Sequence, residues 1–423
     1  MRRALVLWAV LFAAYCAGIG LHAAHGQDLS APEAHTLLTA DSIVHGRRGD
    51  LTREYRSRAW QPFYAGVLHP TARPVHRRLY EPQGVGFPLL ISPAYAAGGR
   101  VGVELFLAAL AALAFVLAAG LARRLVPEPY ATSAALVTGL SPPAFAAATT
   151  IAPDAVAGAA LAGAALLALH VRDAPRMATA AWSATLLAAL PWLGVQYLGA
   201  GAVVAWALAR WLRRRRRSLA GFVALEVVFF SAVVFITVND KLFGGLTPDA
   251  ASRAPDGPTG ASGLGAHLAR APRLLGLWID RDYGIVRWAP FALLAFAALW
   301  LLVRSRRARL ARVVPAQIDV EVTAGFLAAA CAAMALVAAF LYPTIAGAHF
   351  AGRPLVCVFA FGAALAAWSL RRFPRTGTLL AALTIAATIW LVAGVRLTPS
   401  AGVAPPHGPL PWAGAQAVLP RLR

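Results

Sequence analysis

The sequence predicts an all-α polytopic membrane protein. It has about eleven transmembrane helices and a large first external loop carrying membrane-surface helices. Three observations predict this. The 423 residues are 59% hydrophobic and 13% charged, against about 25% charged in ordinary soluble domains. The apolar residues fall into long uncharged runs, which lipid explains and a soluble core does not. The arginines cluster between those runs, the pattern that orients a membrane protein. The net charge of +21 is therefore not taken as a nucleic-acid footprint, and no nucleic acid partner is expected.

Met1-Arg2-Arg3 precedes the apolar stretch 4–21. A cleaved leader is the competing reading, with Ala23 and Ala24 suited to a cleavage site. About eighteen apolar residues is long for a leader and favours a retained first span. Further apolar runs follow at roughly 100–122, 130–149, 154–171, 177–191, 194–211, 219–238, 287–304, 321–342, 353–370 and 377–397. Arg2 and Arg3 place the N-terminus in the cytoplasm, and successive crossings place the later arginine groups there too: Arg123 and Arg124, Arg172 and Arg176, 213–217, 304–312, and Arg371, Arg372 and Arg375. Pro191 and Gly194 mark either an external turn or a kink in one long helix, and the parity of the charged loops favours the turn. The result is a single transmembrane domain over 1–398, N-in and C-out. Its external loops are 22–99, 239–286 and 343–352, and an irregular Pro-containing external tail spans 399–423. A bacterial cytoplasmic (inner) membrane is the expected location. Oligomeric state is left open, and membrane lipids are the expected surroundings.

Cys16, Cys331 and Cys357 lie inside apolar runs with no Cys-x-x-Cys pair, which supports neither a disulfide framework nor a zinc site. No metal-ligand cluster is evident, so no cofactor is assigned; one divalent cation on external carboxylates stays open.

Between Ser30 and His45, apolar residues recur at near-helical spacing, which reads as an amphipathic helix on the membrane surface. Ser30, Pro32 and Glu33 suit a capping box. That is a structural role for Glu33, set against a catalytic one. The same loop carries Arg47, Arg48, Arg53, Arg56, Arg58, Arg73, Arg77 and Arg78. These arginines meet either anionic headgroups or a lipid-linked phosphate, which the guanidinium fork fits in two-point contacts. The loop closes on a Gly-rich segment at 81–88 and an apolar stretch at 89–97, short enough for a helix dipping towards the bilayer. Pro153-Asp154 puts a carboxylate at a helix start, complementing the helix dipole or serving a site. Asp280-Arg281-Asp282-Tyr283-Gly284 is either a self-neutralising cluster or part of a polar site. Arg353 either snorkels to the interface or pairs with phosphate.

The order of these features resembles the GT-C membrane glycosyltransferases, particularly bacterial relatives of protein O-mannosyltransferases and lipid A aminoarabinose transferases. Glu33-Ala34-His35-Thr36-Leu37-Leu38 is similar to their acidic motif after the first span, and Arg48-Gly49-Asp50-Leu51 to a following Asp-Gly-Asp-Leu. The 84–90 segment resembles the Gly-rich approach to the second span, and Pro153-Asp154 a Pro-Glu at the fourth. Pro191-Trp192-Leu193 through Tyr197 resembles a Pro-Trp-Leu-x-x-x-Tyr turn. Asp282-Tyr283-Gly284 with Trp288-Ala289-Pro290 resembles the loop into the eighth span, and Gly352-Arg353 a late loop arginine. The likeness covers most of 1–375. It implies sugar transfer from a polyprenyl-phosphate-linked sugar to an envelope lipid, glycan or protein. It further implies Glu33 as general base, with Asp28 as stand-in and Asp154 in support, and His35 orienting the acceptor. Arg53, Arg58 and Arg353 would hold phosphate, and Asp282 and Tyr283 would line the substrate.

The sequence departs from that pattern in three places. Pro32 stands where the family has Asp, Gly194 and Gln196 replace basic residues, and Arg48 replaces the first Asp of Asp-Gly-Asp. A catalytically degenerate homologue is therefore one alternative. A lipid-linked sugar carrier or a scaffold in envelope assembly is another, although Glu104, Glu226 and Glu321 are scattered rather than aligned along a pathway.

Overall fold

A computed structural model describes residues 2–21, 28–46, 49–214, 218–253, 263–309, 315–343, 349–397, 420 and 422. Helices are the only regular secondary structure among the described residues, which hold two isolated β-bridges and no strand. The chain is an all-α membrane protein. Among the described residues, six stretches are long and apolar enough to cross a bilayer: Gly86–Ala122, Asp154–Asp173, Leu219–Ala251, Ile318–Leu341, Arg353–Arg372 and Pro374–Leu397. Met177–Leu193 and Pro290–Ser305 are shorter apolar helices.

In chain order the helices are α1 (Arg2–Cys16), α2 (Ala31–Val44), α3 (Thr52–Ser57) and α4 (Gly86–Ala122). Next come α5 (Tyr130–Gly139), α6 (Pro142–Thr149), α7 (Asp154–Asp173), α8 (Met177–Leu193), α9 (Leu198–Arg214) and α10 (Ser218–Phe243). After short helices α11 (Gly263–Leu268), α12 (Arg273–Ile279) and α13 (Ile285–Trp288) follow α14 (Leu293–Arg309), α15 (Pro315–Leu336), α16 (Phe359–Arg372) and α17 (Pro374–Leu397). The tail 399–423 lies outside the described residues except for 420 and 422, as do Arg47 and Arg48.

Four details differ from or refine the sequence reading. The run 130–149 is not one helix. It breaks at Leu140–Ser141 because Pro142 and Pro143 lack N–H groups, and Ser141, with extended backbone, opens α6. Residues 177–211 form two helices: α8 stops at Gly194, and a 3₁₀ turn Val195–Tyr197 leads into α9. The stretch 89–97 is the first part of α4, separated from its longer half by a kink. There Gly99 takes φ 58°, ψ −142°, a region closed to residues with a Cβ. The fourth concerns α2, which is not an amphipathic surface helix. Glu33, His35, Thr36, Thr39 and Ser42 are buried along with Ala34, Leu37, Leu38 and Ala40, and the helix packs on α4. Thr36 and Thr39 can be buried because their hydroxyls donate to the carbonyls of Pro32 and His35 one turn back.

α7 sits at the centre, packed against α4, α8, α9 and the turn before α16. Its Ala and Gly positions let neighbouring backbones close in, as membrane helices require. A Cβ at Gly158 would lie only 3.4 Å from the Cys357 backbone. A second, smaller core lies around α2, α3 and the end of α10, where Leu38, Leu51, Trp60, Tyr80, Phe243 and Ala251 are buried together. Two backbone bonds lace this layer: Arg73 N–H to Ala251 O at 2.7 Å and Arg253 N–H to Thr71 O at 2.9 Å.

Candidate functional site

The segments between the long helices, together with the ends of those helices, enclose a cavity of about 280 Å³. Its walls come from the start of α2, the Pro82–Pro88 turn, the loop from α6 into α7, the α8–α9 turn, the turn after α10 and the segment 349–353. Glu33, Asp154 and Arg353 all line it. They are separated by more than a hundred residues in sequence, so only the fold brings them together.

Arg353 follows Gly352, which holds φ +78° and whose α-carbon faces Ile285 so closely that a Cβ would lie 2.4 Å from Cγ1. Glycine is therefore required to turn the chain and aim Arg353. The Arg353 Nε–H donates to Asp154 Oδ2 at 2.8 Å, and the Tyr197 hydroxyl donates to Oδ1, also at 2.8 Å. Asp154 is 3% exposed, while the Arg353 side chain keeps 36% exposure. The carboxylate thus fixes the inner edge of the guanidinium. The two Nη groups make no hydrogen bond to a described residue, and the side chain lines the cavity. A fork held this way presents paired N–H donors to an anion, phosphate above all. His349 lines the cavity as well. Burial, and then the charge of Arg353, push its pKa down to about 4, so it is neutral at pH 7 and leaves the cationic role to Arg353.

Glu33 is built into the scaffold. Its Oε2 accepts from Ser30 N–H at 2.8 Å and Ser30 Oγ at 2.6 Å, completing the capping box, and its Oε1 accepts from Ile151 N–H at 2.8 Å. The side chain caps α2 and pins the loop that delivers Asp154.

The other sequence-derived candidates lie elsewhere. Asp28 sits outside the cavity, 3.4 Å from Arg100 Nη1. His35 projects from α2 two residues beyond Glu33, away from the cavity, and its Nδ1 lies 2.6 Å from the Tyr55 hydroxyl. Tyr55 donates to buried Glu81 at 2.5 Å, and Thr71 donates to the same carboxylate through both its N–H and its hydroxyl. Burial lowers the His35 pKa, with Glu81 partly opposing, so this network is neutral at His35 and structural in effect. Arg53 and Arg58 are exposed and do not reach the cavity. Nearby Asp50 would be raised by burial, but bonds from Thr52 and Leu79 bring its pKa below the usual carboxylate range. Asp282 and Tyr283 form a turn: both N–H groups donate to Asp280 Oδ1 at 2.8 and 2.9 Å, and neither residue lines the cavity.

Sequence reasoning missed Asp249, which lines the cavity from the 3₁₀ turn Pro248–Ala251 after α10. The signal was available, since Pro248-Asp249 repeats the Pro153-Asp154 pair. It also missed the apolar cavity of about 370 Å³ between α14, α15 and α16, to which Leu355 and Val358 contribute from the turn that begins with Arg353. Among the described residues, no group of three His, Cys, Asp or Glu side chains is arranged to hold a metal ion. The polar cavity offers an anion-binding fork and a carboxylate, and the turn that begins with Arg353 also lines the apolar one. Among known proteins, no family model matches the chain and no curated protein is significantly similar to it.

Proposed function

We propose that the protein is a membrane glycosyltransferase that moves a sugar from a polyprenyl-phosphate donor to an envelope lipid, glycan or protein acceptor. The observation that carries this reading is the convergence of Glu33, Asp154 and Arg353 on one cavity, with the Nη groups of Arg353 bonded to no described residue. The donor phosphate would sit on that fork, and the first isoprene units would lie in the apolar cavity beside Leu355 and Val358. Stabilising the departing lipid phosphate is the principal electrostatic demand of the transfer, and a preorganised guanidinium meets it. The same reading takes the site to the outer face of a bacterial cytoplasmic membrane, in an eleven-span chain, N-in and C-out. Its support there is the arginine content of alternate loops.

One specific observation favours a second reading, a catalytically degenerate homologue or a lipid-linked sugar carrier. The oxygens of both Glu33 and Asp154 already accept hydrogen bonds within the protein. The test is transfer of radiolabelled sugar from undecaprenyl-phosphate-linked mannose, glucose and 4-amino-arabinose by the full chain in proteoliposomes, with undecaprenyl phosphate retention measured in parallel. The expected result is transfer from one donor, and a 10- to 100-fold loss of retention in Arg353→Ala, the equivalent of about 1.5–3 kcal/mol for a charge-assisted bond. Retention without transfer by any donor would select the carrier reading. Unchanged retention in Arg353→Ala would remove both.

A further inference from the structure

We infer that Asp249 is the general base that takes the proton of the acceptor hydroxyl or amine, an assignment that rests on the glycosyltransferase reading of the cavity. A transfer of this kind needs a carboxylate with an oxygen free to receive a proton at the place where the acceptor attacks. Four carboxylates come into question. Asp28 is outside the cavity, beside Arg100. Glu33 accepts three hydrogen bonds, two from backbone N–H groups that cannot turn away. Its oxygens are thus already taken by donors that the fold holds in place. Both oxygens of Asp154 are taken as well, one accepting from a guanidinium and the other from a phenol. Asp249 lines the same cavity, half-buried, and its carboxylate takes no hydrogen bond or ion pair from any described residue.

The backbone beneath Asp249 is well held. Ala250 N–H donates to Thr247 O at 3.1 Å, and Ser252 N–H to Asp249 O at 3.0 Å. Arg73 and Arg253 tie the turn to the segment between α3 and α4 through Ala251 O and Thr71 O, and Ala251 is 2% exposed. Pro248 packs on Gly84, where a Cβ would come within 3.2 Å of the proline ring. A free carboxylate on a rigid turn is what a positioned base requires. The step then balances. The acceptor oxygen or nitrogen forms a bond to the anomeric carbon while the bond from that carbon to the phosphate oxygen breaks. The electron pair leaves with the polyprenyl phosphate, which Arg353 receives. The acceptor's proton passes to Asp249 and from there to water.

The test uses the full chain in proteoliposomes with the same undecaprenyl-phosphate sugars. Asp249→Asn should lower kcat by about 10²- to 10⁴-fold while donor KM and retention of undecaprenyl phosphate stay within about twofold of the parent. Asp249→Glu should recover part of the rate, and the acid limb of the kcat–pH profile should vanish in the Asn variant. Retained undecaprenyl phosphate shows that the variant is folded. If the parent transfers sugar and Asp249→Asn does so within threefold, the base assignment is wrong and the glycosyltransferase reading stands. If Asp249→Asn loses retention together with rate and Asp249→Glu restores neither, the residue is structural and the assignment is again overturned. If the parent transfers from none of the donors, both fall.

Discussion

The Asp154–Arg353 pair is the point at which the proposed site is most exposed to refutation. Asp154→Asn keeps the size of the side chain but removes the negative charge and leaves one acceptor oxygen for Arg353 Nε–H and the Tyr197 hydroxyl, which in the parent each have an oxygen at 2.8 Å. Losing one partner of a fully buried pair costs about 3–5 kcal/mol. The 36% exposure of the Arg353 side chain lets water recover part of this, so about 2–3 kcal/mol is expected. Arg353→Met removes the other partner and leaves Asp154, 3% exposed, with Tyr197 as its one donor among the described residues, a loss of about 3 kcal/mol or more. If the two groups act on each other, the double variant costs less than the sum of the singles, by about 2 kcal/mol. The assay is equilibrium unfolding of detergent-solubilised protein in SDS, followed by far-ultraviolet circular dichroism. A coupling below about 0.5 kcal/mol would show that Asp154 does not hold Arg353 and that the fork is not preorganised.

Two further predictions concern the walls of the same cavity. Glu33→Gln has one acceptor oxygen in place of two, so either the Ser30 cap or the Ile151 N–H bond is lost, and stability in the same unfolding assay should fall by about 1–2 kcal/mol. A parent-like unfolding midpoint for Glu33→Gln would contradict its scaffold role, and a loss of kcat as deep as that of Asp249→Asn would return the base to Glu33. His349 gives a pH signature. Its pKa is about 4 in the folded protein against about 6.5 in an unfolded chain, so between these values the unfolded state binds the extra proton. Its contribution is fully present above about pH 6.5 and is lost as pH falls through that window, up to roughly 3 kcal/mol by pH 4. His349→Gln should flatten the dependence of Tm on pH between 6.5 and 4, and identical slopes in the two proteins would rule the mechanism out.

The membrane class was legible because lipid places a demand that sequence cannot disguise: every backbone polar group in a span must be satisfied within a helix, so spans read as long apolar runs. What was not legible are the interruptions. Ser141-Pro142-Pro143 breaks a run whose apolar content stays high, so hydropathy alone joins α5 to α6. In α2 the error has the opposite origin. Thr36, Thr39 and Ser42 read as solvent-facing because they are polar, yet the threonines are satisfied by carbonyls of their own helix and Ser42 by Glu54 and the Asp50 carbonyl. Periodicity sees polarity, whereas burial depends on whether a partner is present.

The two Pro-Asp turns show where sequence reading of the site stops. Pro153-Asp154 and Pro248-Asp249 are the same dipeptide, each opening a helical turn at the rim of one cavity. At the first, the fold delivers a phenol from Tyr197 and a guanidinium from Arg353, 43 and 199 residues away, and the carboxylate becomes a fixed counter-charge. At the second no described side chain arrives, and the carboxylate keeps its lone pairs. The local chemistry is identical, so the division of labour between holding a cation and accepting a proton comes from partners distant in the chain. A resemblance carried by short motifs directs attention to Glu33 and Asp154. Counting which oxygens are already occupied moves the proton-accepting role to Asp249.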